Sequence, residues 1–183
     1  MPDASPDDVA RFWFETLSPR QWWASDPKLD AELAARFGGV HAAAMRCELY
    51  EWRRSPIGRL AEVIVLDQFS RNLYRGDPRS YAADPIALCL AQEAVRIGDD
   101  EGLSVPQRQF LYMPFMHSES ALIHRRAVEL YGAPGLEGAL ASEMRHKAII
   151  DRFGRYPHRN RVLGRESTPE EDEFLARTPG GGY

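Results

Sequence analysis

The sequence has only two cysteines, Cys47 and Cys89, among its 183 residues. Neither belongs to a Cys-x-x-Cys pair or a paired framework, which excludes a disulfide-rich secreted domain and favours a reducing compartment. No apolar run is long enough to cross a bilayer, and the acidic N-terminal segment lacks the positive charge of a secretory signal. We therefore predict a cytoplasmic protein with no membrane partner.

The alternation of apolar and polar residues that is typical of β-strands is nearly absent, which predicts an all-α protein. Helix starts are marked by a capping residue followed by proline. These pairs are Ser5-Pro6, Ser18-Pro19, Asp26-Pro27, Ser55-Pro56, Asp84-Pro85 and Thr168-Pro169. The predicted helices span about 5–17, 26–50 with a candidate break at Gly38-Gly39, 55–73, 84–97, 104–116, 118–131, 136–153 and 168–177.

Length and composition favour one ordinary globular domain over residues 1–183, because 44% of the residues are hydrophobic and 27% are charged. The Pro-Gly-Gly-Gly run predicts a frayed tail at 178–183. Asp26, Ser55 and Asp84 open helices at equal intervals of 29 residues. This spacing suggests stacked antiparallel helices of the tetratricopeptide type, although no residue-level repeat accompanies it.

The common metal and phosphate motifs are missing. There is no His-Glu-x-x-His zinc motif and no Gly-x-x-x-x-Gly-Lys phosphate loop. Glu143 and His146 have the Glu-x-x-His spacing of di-iron bundles, but such sites need this motif twice together with two further glutamates. We predict no metal site, and nothing in the sequence indicates a particular cofactor.

Positive charge is concentrated in one segment. The net charge is −4, yet within 145–165 six arginines and Lys147 face only one acid, Asp151. A positive segment on an otherwise acidic chain favours a small anionic ligand, an acidic peptide or an internal ion-pair network. It argues against nucleic acid, whose phosphates the remaining surface would repel.

The stretch from His146 to Thr168, HKAIIDRFGRYPHRNRVLGREST, contains the richest set of candidate ligand-binding residues. Guanidinium groups bind carboxylates and phosphates at two points, so arginines beside an amide predict an anion cradle. The candidates are Arg155, Arg159, Asn160 and Arg165. In the structural alternative, these arginines only satisfy helix carbonyls and buried carboxylates such as Asp67 or Asp151. Gly154 is expected to end the preceding helix.

The helix end at Asp67 to Gly76 contains a second set of candidate ligand-binding residues. Asp67, Arg71, Asn72 and Arg75 are predicted to line the rim of a ligand pocket, since one helix end rarely needs three such donors. The alternative is a helix cap in which the arginines favour the negative end of the dipole and Asp67 pairs with Arg71.

Candidate catalytic residues are His117, Glu119 and His158. His117 and Glu119 stand at a helix boundary, where imidazole and carboxylate suit general acid–base chemistry. In the alternative, Ser118 caps the helix and Glu119 favours its dipole, which leaves His117 unexplained. Helical spacing places His124 and Glu143 on otherwise apolar stripes that face the core.

The three segments Asp67 to Arg75, His117 to Glu119 and Arg152 to Thr168 together resemble a bacterial family known as domain of unknown function 924. The similarity extends from about Trp13 to Leu175, and the Arg-Phe-Gly-Arg-Tyr-Pro-His-Arg-Asn block is its most specific part. The resemblance implies a tetratricopeptide-like, all-helical fold and supplies no reaction. The departures from the family pattern are Ser70 for proline, Tyr156 for phenylalanine and His124 for glutamine. The last of these argues against a catalytic role for His124.

Three functional interpretations remain open. In the first, the three segments form one composite site that binds a small anionic molecule and supports acid–base chemistry. The second is a tetratricopeptide-like scaffold that binds a peptide or protein without catalysis. In the third, the polar segments only lock the fold.

Overall fold

The structure is a computed structural model, and it describes residues 4–178. Within that range all regular structure is helical and there is no strand, which confirms the predicted all-α class. The predicted frayed tail at 178–183 lies outside the described residues except for Thr178. The α-helices are α1 (Pro6–Arg11), α2 (Pro27–Met45), α3 (Pro56–Ile64), α4 (Ser70–Leu73), α5 (Asp84–Arg96), α6 (Val105–Met116), α7 (Ala121–Tyr131), α8 (Glu137–Phe153) and α9 (Pro169–Arg177).

The described chain divides into two compact units. Residues 4–75 and 79–114 form unit 1, which contains α1 to α5 and nearly all of α6. Residues 76–78 and 115–178 form unit 2, which contains α7 to α9. The single domain and the tetratricopeptide-like arrangement stay predictions. No helix in residues 4–178 combines the length and the apolar character needed to cross a bilayer.

Four of the predicted helix caps are confirmed. The side chains of Ser5, Asp26, Ser55 and Thr168 each accept a hydrogen bond from a backbone N–H in the first turn of the following helix. Proline follows each of them at the first helical position, where its missing N–H costs nothing.

Two predicted openings are wrong. Ser18 begins a turn instead of a helix, because the Gln21 side chain accepts both the Ser18 N–H at 2.9 Å and the Ser18 hydroxyl at 2.8 Å. Asp84 is the first residue of α5 and does not cap it. Its carboxylate accepts a hydrogen bond from Arg71 Nη2 at 3.1 Å, which draws it away from the helix amides.

Two further details differ from the prediction. Helix α2 runs without a break through Gly38 and Gly39, so these glycines tolerate the helix despite their weak propensity. The residue that caps α7 is Ser120 and not Ser118, and its side chain forms no capping bond. Pro114 lies inside α6, which continues to Met116.

Two π-helical turns shape unit 1. Helix α1 continues into a π turn at Phe12–Thr16, and α3 into one at Val65–Phe69 that leads directly to α4. A π turn adds one residue and so changes which side chains face the core. Both turns bring an aromatic ring to the same core, where the Trp13 and Phe69 ring centroids lie 5.7 Å apart.

The apolar run at 60–66 lies within the predicted helix 55–73 and is buried in unit 1. Leu60, Val63 and Leu66 have no exposed surface. Glu62 interrupts the run and is also fully buried. It accepts two hydrogen bonds of 2.7 Å from the Arg53 guanidinium, and this pairing explains how a charge is tolerated there.

In unit 2 the positively charged segment begins in the second half of α8 and continues into the loop of residues 154–168. Gly154 ends α8 in the left-handed region at φ 69°, which confirms its predicted role. The chain then buries Tyr156 against Ile149 and Ile150, and it forms a 3₁₀ turn at Pro157–Arg159 before reaching α9. The segment is therefore anchored at both ends by helices and in the middle by an aromatic side chain.

Candidate functional site

Arg155 fixes the positively charged segment to the start of α9. Its Nε and Nη2 atoms donate to the two carboxylate oxygens of Glu171 at 2.6 and 2.7 Å, and Nη2 also reaches the carbonyl oxygen of Glu166 at 2.8 Å. Glu171 is only 2% exposed. Because Glu171 also closes the capping box with Thr168, one carboxylate joins the loop to the helix cap.

Arg165 makes a second two-point ion pair, with Glu119. Its Nη1 and Nη2 atoms donate to the carboxylate at 2.6 and 2.9 Å. The backbone N–H of Tyr156 donates to the same carboxylate at 2.7 Å, and Arg165 also donates to the Tyr156 carbonyl oxygen at 3.1 Å. These two arginines therefore pair with carboxylates of the chain, as in the structural alternative, but with Glu171 and Glu119 in place of its examples Asp67 and Asp151.

Asn160 connects the two ion pairs. Its side-chain oxygen accepts from Arg165 Nε at 3.0 Å. Its side-chain nitrogen donates to Ser167 Oγ at 3.1 Å and to Glu171 Oε2 at 3.3 Å. Asn160 is 1% exposed, so the loop is held by one continuous network with a buried centre.

The carboxylates of this network are ionised at neutral pH. The hydrogen bonds from Arg155 lower the pKa of Glu171 to about 2. Burial alone would raise the pKa of Glu119, but the hydrogen bonds from Arg165 and the Tyr156 N–H outweigh it and leave that pKa below its usual value. Ionised, fully bonded carboxylates stabilise the loop better than they transfer protons.

Tyr156 lies at the centre of unit 2, surrounded by histidines. Its ring is fully buried and contacts the rings of His124, His146 and His158, with centroids 6.2, 5.9 and 5.6 Å away. His117 is close enough for its charge to affect the titration of His146. Four of the five histidines in the sequence are thus gathered in unit 2.

The proton positions around His124 follow from its neighbours. The Tyr156 hydroxyl donates to the carbonyl oxygen of Met116 at 2.5 Å. His124 Nε2 faces the Ser118 carbonyl oxygen at 2.8 Å and the Tyr156 hydroxyl oxygen at 3.1 Å, so Nε2 must carry a proton and donate it. The other ring nitrogen, Nδ1, lies 2.6 Å from Glu143 Oε1.

One proton therefore joins Nδ1 of His124 to Glu143. Both side chains are fully buried, and the second carboxyl oxygen of Glu143 has no hydrogen-bond partner among the described residues. Burial raises the pKa of Glu143. We infer a neutral pair in which the Glu143 carboxylic acid donates to Nδ1, because an ionised carboxylate with one unbonded buried oxygen costs far more.

Arg159 contacts His117, another predicted site residue of unit 2. Arg159 Nη2 donates to the backbone carbonyl oxygen of His117 at 3.0 Å. The guanidinium carbon also lies 4.6 Å from the centroid of the Tyr156 ring, within the range of a cation–π contact. Of the predicted site residues, unit 2 thus contains His117, Glu119, Arg155, His158, Arg159, Asn160 and Arg165.

The remaining predicted site residues belong to unit 1, where Arg71 bridges two carboxylates. It lies 3.2 Å from Asp67 Oδ1 and 3.1 Å from Asp84 Oδ1. Asp67 is fully buried and also accepts from Gln68 Nε2 at 2.5 Å. The structure therefore contains the Asp67–Arg71 pair of the structural alternative.

Asn72 and Arg75 share a third acidic partner, Asp30. Asn72 Nδ2 donates to Asp30 Oδ1 at 2.7 Å. Arg75 donates from Nε and Nη2 to the two oxygens of Asp30, both at 3.0 Å. These bonds tie α4 and the residues after it to α2. Ligand binding by this helix end stays a prediction.

A surface pocket of about 430 Å³ opens on unit 2 beside the locked loop. Its lining combines residues of the loop with residues of α9. They are Pro157, His158, Arg161, Ser167, Asp172, Leu175 and Thr178. His158 is the predicted site residue among them. Within residues 4–178, no three His, Cys, Asp or Glu side chains are placed to hold a metal ion.

The comparisons with known proteins support the resemblance seen in the sequence. A family model described as a bacterial protein of unknown function (DUF924) matches residues 9–179. The chain belongs to this family. A solved structure of a protein of unknown function, ATU0120 from Agrobacterium tumefaciens, is 40% identical with a TM-score of 0.90, over 94% of this chain and 97% of that one. A search of curated proteins gave no match.

Sequence reasoning missed several polar residues of this DUF924 member. Asp30 pairs with Arg75 across 45 positions, and no local pattern signals such a pairing. Thr168-Pro169 indicated the start of α9, but nothing in the sequence signals that Glu171 in its first turn pairs with Arg155, 16 positions earlier. Arg161 lay inside the stretch singled out from the sequence, yet only the pocket distinguishes it from its neighbours.

His146 is expected to make this family member sensitive to mild acid. Burial lowers the pKa of His146 to about 3, whereas an unfolded histidine titrates near about 6.5. Between these values the unfolded chain binds a proton that the folded chain excludes, so the free energy of unfolding falls as the pH decreases. Urea unfolding at pH about 7 and about 5 measures this change. The free energy of unfolding should fall less between the two pH values in His146→Gln than in the wild type.

The control for that experiment is His158→Gln, which removes a histidine that lines the pocket. His41 in unit 1 also has a pKa lowered by burial, so part of the loss is expected to persist in every variant. An equal decrease in the free energy of unfolding in the wild type and in His146→Gln, between the same two pH values, contradicts the prediction.

Proposed function

We propose that unit 2 binds a small molecule with an anionic group in the pocket beside His158. The observation that carries the proposal is the pocket itself, of about 430 Å³, which His158, Arg161 and Ser167 line together. An arginine fork, an imidazole and a hydroxyl are the donors that hold carboxylates and phosphates in proteins. The volume is in the range that small-molecule sites occupy.

The locked loop supports this proposal by holding the pocket wall in place. His158 and Arg161 stand on the segment that Asn160 and the ion pairs of Arg155 and Arg165 fix to α9 and to Glu119. A wall that is already ordered loses little conformational freedom when a ligand binds, which improves affinity. The same side chains can thus have a structural role without contacting the ligand.

That structural role is a second proposal for Arg155 and Arg165, favoured by their two-point bonds to Glu171 and Glu119. A guanidinium whose fork is filled by a carboxylate of the chain has few donors left for a ligand. We therefore assign anion binding to Arg161, which is exposed in the pocket.

Proton transfer, if the bound molecule reacts, is assigned to His158. It lines the pocket, and an imidazole can gain or lose a proton near neutral pH. Glu119 is less suited to this role because its pKa is lowered and its carboxylate is occupied by Arg165. We also propose a cytoplasmic location, which the free thiols of Cys47 and Cys89 support.

Calorimetric titration with inorganic phosphate and with acetate tests the anion site. Arg161→Gln is expected to weaken binding about tenfold, the usual effect of losing a charged hydrogen bond. The matched control is Arg125→Gln, an exposed arginine on α7 in the same unit. Equal weakening in both variants indicates non-specific charge attraction and contradicts the proposal, as does unchanged binding in Arg161→Gln.

A further inference from the structure

The pocket of unit 2 holds charges of both signs. Arg161 reaches it from the loop, and Asp172 reaches it from the first turns of α9. Among residues 4–178 neither side chain forms an ion pair, with the other or with a third group. Within the described residues, both side chains line the pocket and can contact a molecule that enters it.

This arrangement discriminates between classes of ligand. A purely anionic molecule is attracted by Arg161 but repelled by Asp172, and a purely cationic one experiences the reverse. A molecule that carries an acidic group at one end and an ammonium group at the other is attracted by both residues. Leu175, which also lines the pocket, offers apolar surface for the carbon chain between the two charges.

We propose that the ligand is a small zwitterion of the amino-acid class, with its acidic group on Arg161 and its ammonium group on Asp172. This inference rests on the proposed anion site and adds the second charge to it. The hydroxyls of Ser167 and Thr178 are available in the same lining as further hydrogen-bond partners.

The test uses probes with one carbon skeleton and different charges. The protein labelled with ¹⁵N is titrated with butyrate, butylamine, α-aminobutyrate and γ-aminobutyrate, and the Kd is read from the amides of His158, Arg161 and Ser167. At least one amino acid is expected to bind about fivefold more tightly than butyrate, as one added exposed ion pair allows.

Single substitutions distinguish the contribution of Asp172 to ligand binding from that of Arg161. Asp172→Asn should abolish the preference for the amino acid and leave butyrate binding unchanged or tighter, whereas Arg161→Gln should weaken both. Glu173→Gln is the control, because Glu173 lies next to Asp172 on α9 and pairs with Arg177 outside the pocket lining. A urea unfolding curve of each variant confirms that it is folded.

Three results overturn the inference, and they distinguish the zwitterion from the anion site. Equal affinity for butyrate and both amino acids contradicts the zwitterion and leaves the anion site intact. Binding of butylamine alone, or no change at the three pocket amides with any probe, contradicts the anion site and the zwitterion together.

Discussion

Replacing Glu143 by alanine is expected to lower the free energy of unfolding by about 3 kcal/mol. Replacing it by glutamine is expected to cost about 1 kcal/mol or less. Alanine leaves a void at a fully buried site and leaves His124 Nδ1 without a partner. Glutamine stays neutral, fills nearly the same volume and offers an N–H to Nδ1, as the carboxylic acid does.

Urea unfolding of the two variants measures this difference directly. A second readout is the ¹⁵N chemical shift of the His124 ring, which distinguishes a neutral imidazole protonated at Nε2 from an imidazolium. If Glu143→Gln lowers the free energy of unfolding as much as Glu143→Ala, and the ¹⁵N shifts show an imidazolium at His124, the pair is ionic. The inferred neutral arrangement is then wrong.

The second large effect is expected at Glu171, where alanine should cost about 2–4 kcal/mol. The 2% exposed carboxylate accepts two bonds from Arg155, one from Asn160 and one from the N–H of Thr168. Its loss leaves Arg155 Nε and the Thr168 N–H without their carboxylate acceptor and opens the helix cap. The loop should lose order with the cap, because the same network holds both.

The adjacent residue Glu170 provides the matched control. It pairs with Arg152, and both side chains are at least half exposed, so Glu170→Ala should cost less than about 1 kcal/mol. Unfolding curves of the two variants, together with amide exchange of residues 155–168, give the comparison. Equal costs at positions 170 and 171 would falsify the view that the buried network, and not surface charge in general, holds the loop.

The features that were predicted correctly from sequence depend on neighbouring residues. Ser5 and Thr168 cap helices through side-chain bonds that reach only three positions along the chain. Gly154 ends α8 because glycine adopts a left-handed conformation at little cost. Such features follow from local chemistry, so a sequence pattern is enough to identify them.

The features that were missed depend on contacts between distant residues. Asp84 looked like a cap, but Arg71, 13 positions earlier, takes its carboxylate. Tyr156 looked like a mild departure from a family pattern, yet tertiary packing surrounds its ring with histidines. The pairs of Arg165 with Glu119 and of Arg75 with Asp30 span 46 and 45 positions. No spacing rule reaches that far.

The site in unit 2 likewise combines features that the sequence predicts with features that depend on distant contacts. The concentration of arginines after α8 was visible in the sequence, and it correctly marked the segment that carries the polar network. The sequence does not show which arginines form ion pairs within the chain, because this depends on where Glu119 and Glu171 lie in the fold. In the structure Arg155 and Arg165 bind the carboxylates of Glu171 and Glu119, and Arg161 lines the pocket beside them. Anion binding by the segment stays a prediction.

Anion binding in the pocket of unit 2 can be mapped by ¹⁵N–¹H NMR while inorganic phosphate is added to the labelled protein. We expect the amides of His158, Arg161 and Ser167 to shift together and saturably. Arg161→Gln should remove these shifts, whereas Arg125→Gln should preserve them. Saturable shifts at Arg71, Asn72 and Arg75 with the three pocket amides unmoved would contradict this expectation.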